Sequence, residues 1–407
     1  MFKTKKLYRK TLLALTVSAL LPINSFAATD LEVLRQEMDQ LKKQIAGRDE
    51  WKVPNTLVHM AGYADVGYSN SGAANDDGSF NSGRLAPIFH YQYRDIVMLE
   101  SELEFKTMAD GSTATALEYL TLDVFLNDYV TLVAGKFLSP IGTFRQNIHP
   151  SWINKMASAA PGFGHDGAAP VSDTGLQLRG GFHIGEMKAN YSVYTGNGPE
   201  IKAELTPNAI NNALVDDVEY DGIDAEGFGV DADGNKVFGG RFGLLPIPAL
   251  EIGVSLLTGK ADVTSFENIG AYTGNTSTLL SSVTSTNYDV AGVDVSWRNK
   301  AVDVRFEYVQ SKLGAATMGA NTLASAKWTT WYTQAAYKIP ATKYEVVARY
   351  GDFNSPHPAA DRKQVAVGVN YLFASNFVAK VNYELNKNPN AGFNTDNRLL
   401  VQLAYGF

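Results

Sequence analysis

The 407-residue chain has no cysteine. That absence excludes a disulfide framework, a Cys-ligated zinc or iron–sulfur centre and a thiol nucleophile. Proline is sparse at 15 residues, and charged side chains make up only 19% with both signs mixed, so the composition is neither proline-rich low complexity nor that of a highly charged disordered chain. A formal net charge of -7 gives nucleic acid no basic surface to bind, and none is expected as a partner. Long apolar runs are also missing: beyond residue 27 no stretch reaches the roughly 18 uncharged apolar residues of a membrane-spanning helix. The histidines His59, His90, His149, His165, His183 and His357 show no close metal-ligand spacing, and no nucleophile stands beside a positioned base. Catalysis, a metal and a cofactor are therefore not expected.

What is present begins with a processing signal. Lys3, Lys5, Lys6, Arg9 and Lys10 precede an apolar run from Thr11 to Leu21, and Ser25-Phe26-Ala27 places small residues at the minus-three and minus-one positions. Residues 1–27 read as a secretory signal peptide cleaved before Ala28, with an uncleaved anchor as the alternative. Next, Leu31, Leu34, Met38, Leu41 and Ile45 recur at alternating spacings of three and four, with charged residues between them. This is an a/d seam of about two heptads. Asp30 is placed to cap the helix and Gly47 to end it. So short a helix is marginal alone, and residues 28–50 are expected to form a periplasmic coiled-coil segment; a single amphipathic helix is the alternative.

From Leu57 to Phe407 the period changes to two. Val302, Val304, Phe306 and Tyr308 alternate with Asp303, Arg305 and Glu307, while Phe377, Ala379, Val381, Tyr383 and Leu385 alternate with Lys380, Asn382 and Glu384. The connections sort into two kinds. Short turns at Arg94-Asp95, Gly185-Glu186, Leu245–Pro248, Arg298–Lys300 and Ala374–Asn376 alternate with long polar segments at 69–84, 139–173, 196–236, 259–287 and 312–327. Short turns on one rim and long loops on the other are the layout of an outer-membrane barrel. The expected fold is all-β, a transmembrane antiparallel β-barrel of about 16 strands over residues 51–407. Glu118 and Asp123 can share a face only across a bulge. Leu399, Val401, Leu403, Tyr405 and Phe407 give the last segment one apolar face, and in lipid it must pair with the first strand.

Gly135–Gly142 (GKFLSPIG), His149–Lys155 (HPSWINK) and Pro170–Gly181 (PVSDTGLQLRGG), with the heptads and the signal peptide, resemble a Gram-negative porin of the phosphate-selective O/P type. The chain is also similar to trimeric porins that carry a coiled coil ahead of the barrel and conduct dicarboxylates or related anions. The resemblance implies a homotrimer in the outer membrane, among lipids and lipopolysaccharide, with a loop folded into each lumen. Segment 139–173, rich in Pro and Gly, is the expected constriction loop; an extracellular flap is the alternative.

Charged rings facing the lumen set selectivity in such a pore. On the polar face, bases including Lys136, Arg179, Arg305 and Arg349 nearly balance acids including Glu100, Glu102 and Glu104. The expected loop adds Arg145 and Lys155 against Asp166 and Asp173. That balance departs from an arginine ladder and points to a diffusion channel with weak anion preference, for small anionic or neutral solutes. For each base, a cross-strand ion pair is the competing role. The acidic stretch between Asp216 and Asp233 reads as a solvated loop face, with calcium binding as the alternative. A barrel serving as a scaffold, a surface adhesin or a sheath for a periplasmic partner is the alternative function.

Overall fold

The computed structural model describes residues 56–72, 78–165, 167–227, 229–267, 269–388 and 396–407. The expected signal peptide, the coiled-coil helix and Asp166 lie outside the described residues. The strands are β1 (Thr56–Ser71), β2 (Ser79–Tyr93), β3 (Val97–Thr107), β4 (Thr113–Asn127), β5 (Val130–Leu138), β6 (Ser172–Ile184), β7 (Met187–Gly196), β8 (Glu200–Pro207), β9 (Val215–Asp224), β10 (Val237–Ile247), β11 (Leu250–Ala261), β12 (Val263–Glu267), β13 (Thr286–Asn299), β14 (Val302–Leu313), β15 (Ala316–Met318), β16 (Asn321–Leu323), β17 (Ala326–Lys338), β18 (Tyr344–Asn354), β19 (Arg362–Ala374), β20 (Phe377–Lys387) and β21 (Arg398–Gly406).

Sixteen of them close an antiparallel barrel; β8, β9 and β12 form a separate three-stranded sheet, and β15 and β16 a hairpin. The ring shuts where β1 pairs with β21, from Tyr63 opposite Gly406 to Ser71 opposite Arg398. Gly62 and Phe407 complete the seam by exchanging backbone hydrogen bonds of 2.9 Å in each direction. Closure satisfies every edge, which a hydrocarbon surround demands.

The side-chain polarity is the reverse of a soluble fold. On β20, Val381, Tyr383 and Leu385 are 49%, 45% and 42% exposed, while Lys380, Asn382 and Glu384 between them are at most 1% exposed. Facing these half-exposed apolar side chains to water would forgo about 1 kcal/mol each, summed over the whole wall, so the outer surface suits lipid. An aromatic row marks the rim with the tight turns: ring centroids step from Tyr344 to Tyr371 (5.1 Å), Phe373 (4.8 Å), Phe377 (4.6 Å), Tyr405 (6.0 Å) and Phe407 (6.1 Å). Amphipathic rings concentrate at the membrane–water interface. Among the described residues no helix is long and apolar enough to cross a membrane.

Local sequence explains the connections. The turns at this rim use left-handed backbone at Arg94, Gly185, Lys300 and Ala341. The β10–β11 turn is shorter than expected: Leu245–Ile247 belong to β10, whose ladder is irregular between Leu244 and Ile247. The β3/β4 ladder slips so that Glu102 faces Tyr119 and Leu103 faces Leu117, leaving Glu118 as the bulged residue. Glu118 and Asp123 are both buried, at 8% and 0% exposure, as the bulge requires. At the opposite rim the long connections are not plain loops. Segments 197–236 and 262–285 contribute β8, β9 and β12 to the outer sheet.

Candidate functional site: the barrel interior

The segment 139–171, between β5 and β6, lines the inside of the wall. Gly142 has φ of +73° and donates its N–H to Ser255 Oγ at 3.1 Å. The next two residues hang on Glu307 of β14: its carboxylate accepts Thr143 N–H at 3.0 Å, Phe144 N–H at 3.4 Å and Thr143 Oγ1 at 3.3 Å. Tyr332 donates its hydroxyl to the same carboxylate at 3.3 Å. An irregular segment without its own ladder must satisfy its backbone elsewhere, and this wall carboxylate supplies acceptors. A Cβ on residue 142 would lie 1.8 Å from Glu307 Oε1, so any larger residue displaces the carboxylate that holds the segment.

The segment then crosses to the far wall. Trp152 packs on Gly406, where a Cβ would meet the indole ring at 2.6 Å. Lys380 donates to the carbonyls of Ser151 and Met156 and to Gln402. Asn382 Oδ1 accepts Ala157 N–H at 2.7 Å, and Asn370 donates to Lys155 O at 2.9 Å. Further on, Thr330 donates to Pro161 O at 2.6 Å and Ser311 to Ala168 O at 2.5 Å. These wall partners stand on β14, β17, β19 and β20, and each side chain faces inward.

Part of the inner face is apolar, unlike the charged face expected from the strand pattern. Phe144, Phe163 and Tyr332 form an edge-packed trio, with Phe163 and Tyr332 centroids 5.0 Å apart. They join Val309, Trp328 and Phe353 of the wall and Ile201 and Val218 of the outer sheet in one buried cluster. Beside it lies a cavity of about 600 Å³, lined among others by Ser158, His165, Asp221, His357, Gln364 and Arg398.

The expected site residues divide by what holds them. Arg349 is 2% exposed and donates to Ser158 O at 2.9 Å, Ser158 Oγ at 2.7 Å, Ala159 O at 3.1 Å and Gln364 Oε1 at 2.8 Å, with Glu384 at 3.4 Å. Lys155 Nζ bonds Glu345 at 2.6 Å, and Arg305 makes a two-pronged pair with Asp303 at 2.8 and 2.9 Å. Arg179 pairs with Asp123. Among the acids, Glu104 bonds Arg84 at 2.9 Å, Glu102 accepts from Tyr63 at 2.9 Å and lies 3.5 Å from His149, and Glu100 lies 3.5 Å from His90. Lys136 sits opposite Leu120 and Thr174, one step out of phase with the interior residues Val133 and Phe137.

Arg145 differs from the other bases. It lies in the π-helical turn Phe144–Ile148, is 6% exposed, and its Nε and Nη2 have no hydrogen-bond partner. Glu118 and Glu226 act on it electrostatically, yet no carboxylate among the described residues lies within 4.0 Å of it. A buried, incompletely paired guanidinium retains its field for a passing anion, whereas a paired one has spent it on the wall. At the segment's outer turn, His165 Nδ1 lies 2.8 Å from Glu226, and this hydrogen bond holds the carboxyl below its ordinary range.

Several positions escaped the sequence reading: Arg84, which bridges Asp65 and Glu104, and the roles of Glu307 and Lys380 in seating the segment. Alternation shows that Glu307 and Lys380 face inward, but not what they meet there.

No family model matches the chain, and none of the curated proteins matches it by sequence. Solved structures do. An anion-selective porin from Comamonas acidovorans superposes with a TM-score of 0.57 at 14% identity, covering 86% of this chain and 100% of that one. OmpT, an outer membrane protein of Vibrio cholerae, in its trimer form gives 0.53 at 13% identity over 87% and 100%. The outer membrane channel DcaP of Acinetobacter baumannii gives 0.51 at 11% identity over 88% and 99%. Across that sequence distance the likeness is one of architecture: this chain has the sixteen-stranded barrel fold of outer-membrane porins.

Proposed function

We propose that the chain is a passive diffusion channel of the Gram-negative outer membrane, conducting small hydrophilic solutes with a weak preference for anions. The observation that carries this reading is a closed barrel with an apolar outside and a largely polar inside, crossed by a segment in which, among the described residues, the base Arg145 is incompletely paired. Size exclusion comes from segment 139–171 acting as the constriction. Charge selection comes mainly from Arg145, with Arg179 next because its side chain is 43% exposed despite its pairing with Asp123. The channel works as a homotrimer; the trimeric form of the similar Vibrio cholerae protein supports this. The finer placement among the phosphate-selective porins rests on segments 135–142, 149–155 and 170–181 alone.

One observation favours a barrel that serves as a scaffold instead: a buried apolar cluster joins wall residues from β5 to β18 with segment 139–171 and the outer sheet. Single-channel conductance in a planar bilayer, with the reversal potential read across a KCl gradient, separates the two. Discrete steps with anion preference, moved toward cations by Arg145→Ala, are expected. Absence of conductance in the purified, folded protein would favour the scaffold.

A further inference from the structure

Three side chains far apart in the sequence converge on the outer rim. Glu204 of β8, Asp221 of β9 and His357 of the β18–β19 connection bring one donor atom each within 4.8 Å of one another. The β8/β9 ladder explains the first two. Lys202 faces Gly222 and Ala203 faces Tyr220, so Asp221 is the extra residue of a bulge. A bulge re-aims a side chain, and this one turns Asp221 toward Glu204.

The carboxylates there crowd one another. Glu204 stands directly opposite Glu219, a like-charge cross-strand pair that is unfavourable without a cation. Lys202, two residues away, is engaged by Asp224 at 3.8 Å and Glu267 at 3.6 Å. Among the described residues no Lys or Arg nitrogen lies within 4.0 Å of the Glu204, Glu219 or Asp221 carboxylates. The imidazole is already positioned. His357 Nε2 donates to the Tyr220 carbonyl at 2.8 Å and lies 3.7 Å from Asp221 Oδ1, so an ion bound at Nε2 takes the place of that proton and its hydrogen bond. Its loop is ordered by Ser355 Oγ, which accepts His357 N–H at 3.0 Å, and by Asp361, which accepts Ser355 N–H at 2.7 Å.

We propose that Glu204, Asp221 and His357 bind a divalent metal ion of the zinc class. One imidazole nitrogen and two carboxylate oxygens suit such an ion at about 2.0–2.2 Å, with water completing the tetrahedron. Donors on a tetrahedral ion sit roughly 3.3 Å apart, so donor pairs now up to 4.8 Å apart close by at most about 1.5 Å on binding. Calcium is disfavoured because it takes about six to eight oxygens and has no preference for imidazole. The ion ties the 355–361 connection to the outer sheet at the cavity lined by Asp221 and His357. This site does not depend on the channel reading.

Equilibrium dialysis of the refolded chain in detergent micelles against ZnCl2, and separately against CaCl2, tests it. One Zn2+ per chain is expected, with affinity at least tenfold weaker in His357→Ala and in Glu204→Gln, and unchanged in Asp231→Asn/Asp233→Asn. His357→Gln serves if the alanine variant loses the barrel's circular dichroism. No Zn2+ bound, Zn2+ affinity unaffected by the His357 variant, or Ca2+ binding preferred over Zn2+ would each overturn the assignment.

Discussion

Arg349→Ala distinguishes a base that meets solute from a base that holds the pore in shape. Arg349 reaches from β18 to three acceptors on segment 139–171: both oxygens of Ser158 and the carbonyl of Ala159. It also bonds Gln364 and sits 3.4 Å from Glu384, all within the interior. Hydrogen bonds from a charged donor contribute about 1.5–3 kcal/mol each before coupling, and removing one partner of a buried pair costs about 3–5 kcal/mol in total. That loss shifts the seated-to-released ratio of residues 157–160 by roughly 10² to 5 × 10³. Arg349→Lys should recover little, because a single ammonium cannot span Ser158, Ala159 and Gln364 together. Single-channel recording of the reconstituted variant should show higher conductance and more open-channel noise, with the anion-to-cation permeability ratio nearly unchanged. Unchanged conductance with a shifted permeability ratio would refute the tether and return Arg349 to the solute path.

Gly142→Ala combines a left-handed backbone costing about 1–3 kcal/mol with a Cβ 1.8 Å from Glu307 Oε1. Its barrel should unfold at lower temperature on heat-modifiability gels, and an unchanged transition would show that the Glu307 latch gives way cheaply. The Glu226 carboxyl, depressed by its bond to His165, contributes stability that is present above the ordinary carboxylate pKa and lost as pH falls through the lowered one. The protection factor of Ser172 N–H, bonded to the Ala225 carbonyl at 3.1 Å, should therefore fall from about pH 5 to about pH 3 in the wild type and less so in His165→Ala; an equal fall in both would remove the contact from the acid response. Deleting residues 30–46 should weaken the trimer on native gels if the heptads set assembly, and an intact trimer would reject that role.

The barrel was legible because a wall between lipid and water imposes period two on every strand. Lys380, Asn382 and Glu384 against Val381, Tyr383 and Leu385 declare both faces without knowledge of any neighbour. The bulge in β4 was legible for the same reason, since Glu118 and Asp123 break the phase. Strands β8, β9 and β12 were not, because their outer sheet has no lipid face and the acidic run Asp216, Asp217, Glu219 reads as solvated loop. Lys136 shows what the strand pattern leaves out: it follows Gly135, whose φ is +125°, and its electrostatic neighbours Glu118, Glu226 and Asp224 come from other segments.

Composition and periodicity by themselves determined the class of this protein: a β-barrel pattern of period two, without cysteine, with acids and bases nearly matched on the inward face. Only the tertiary structure decided which charges remain available. Arg305 is matched by Asp303, two positions along its own strand, but Arg349 and Lys380, besides wall partners, reach acceptors on segment 139–171, about 190 to 230 residues away in sequence. Arg145 is left incompletely paired for the same reason, and Glu204, Asp221 and His357 meet for no reason visible in their spacing. Alternation is a local property of one strand facing two solvents; pairing across a lumen depends on register, bulges and the path of a folded-in segment, and those exist only once the ring has closed.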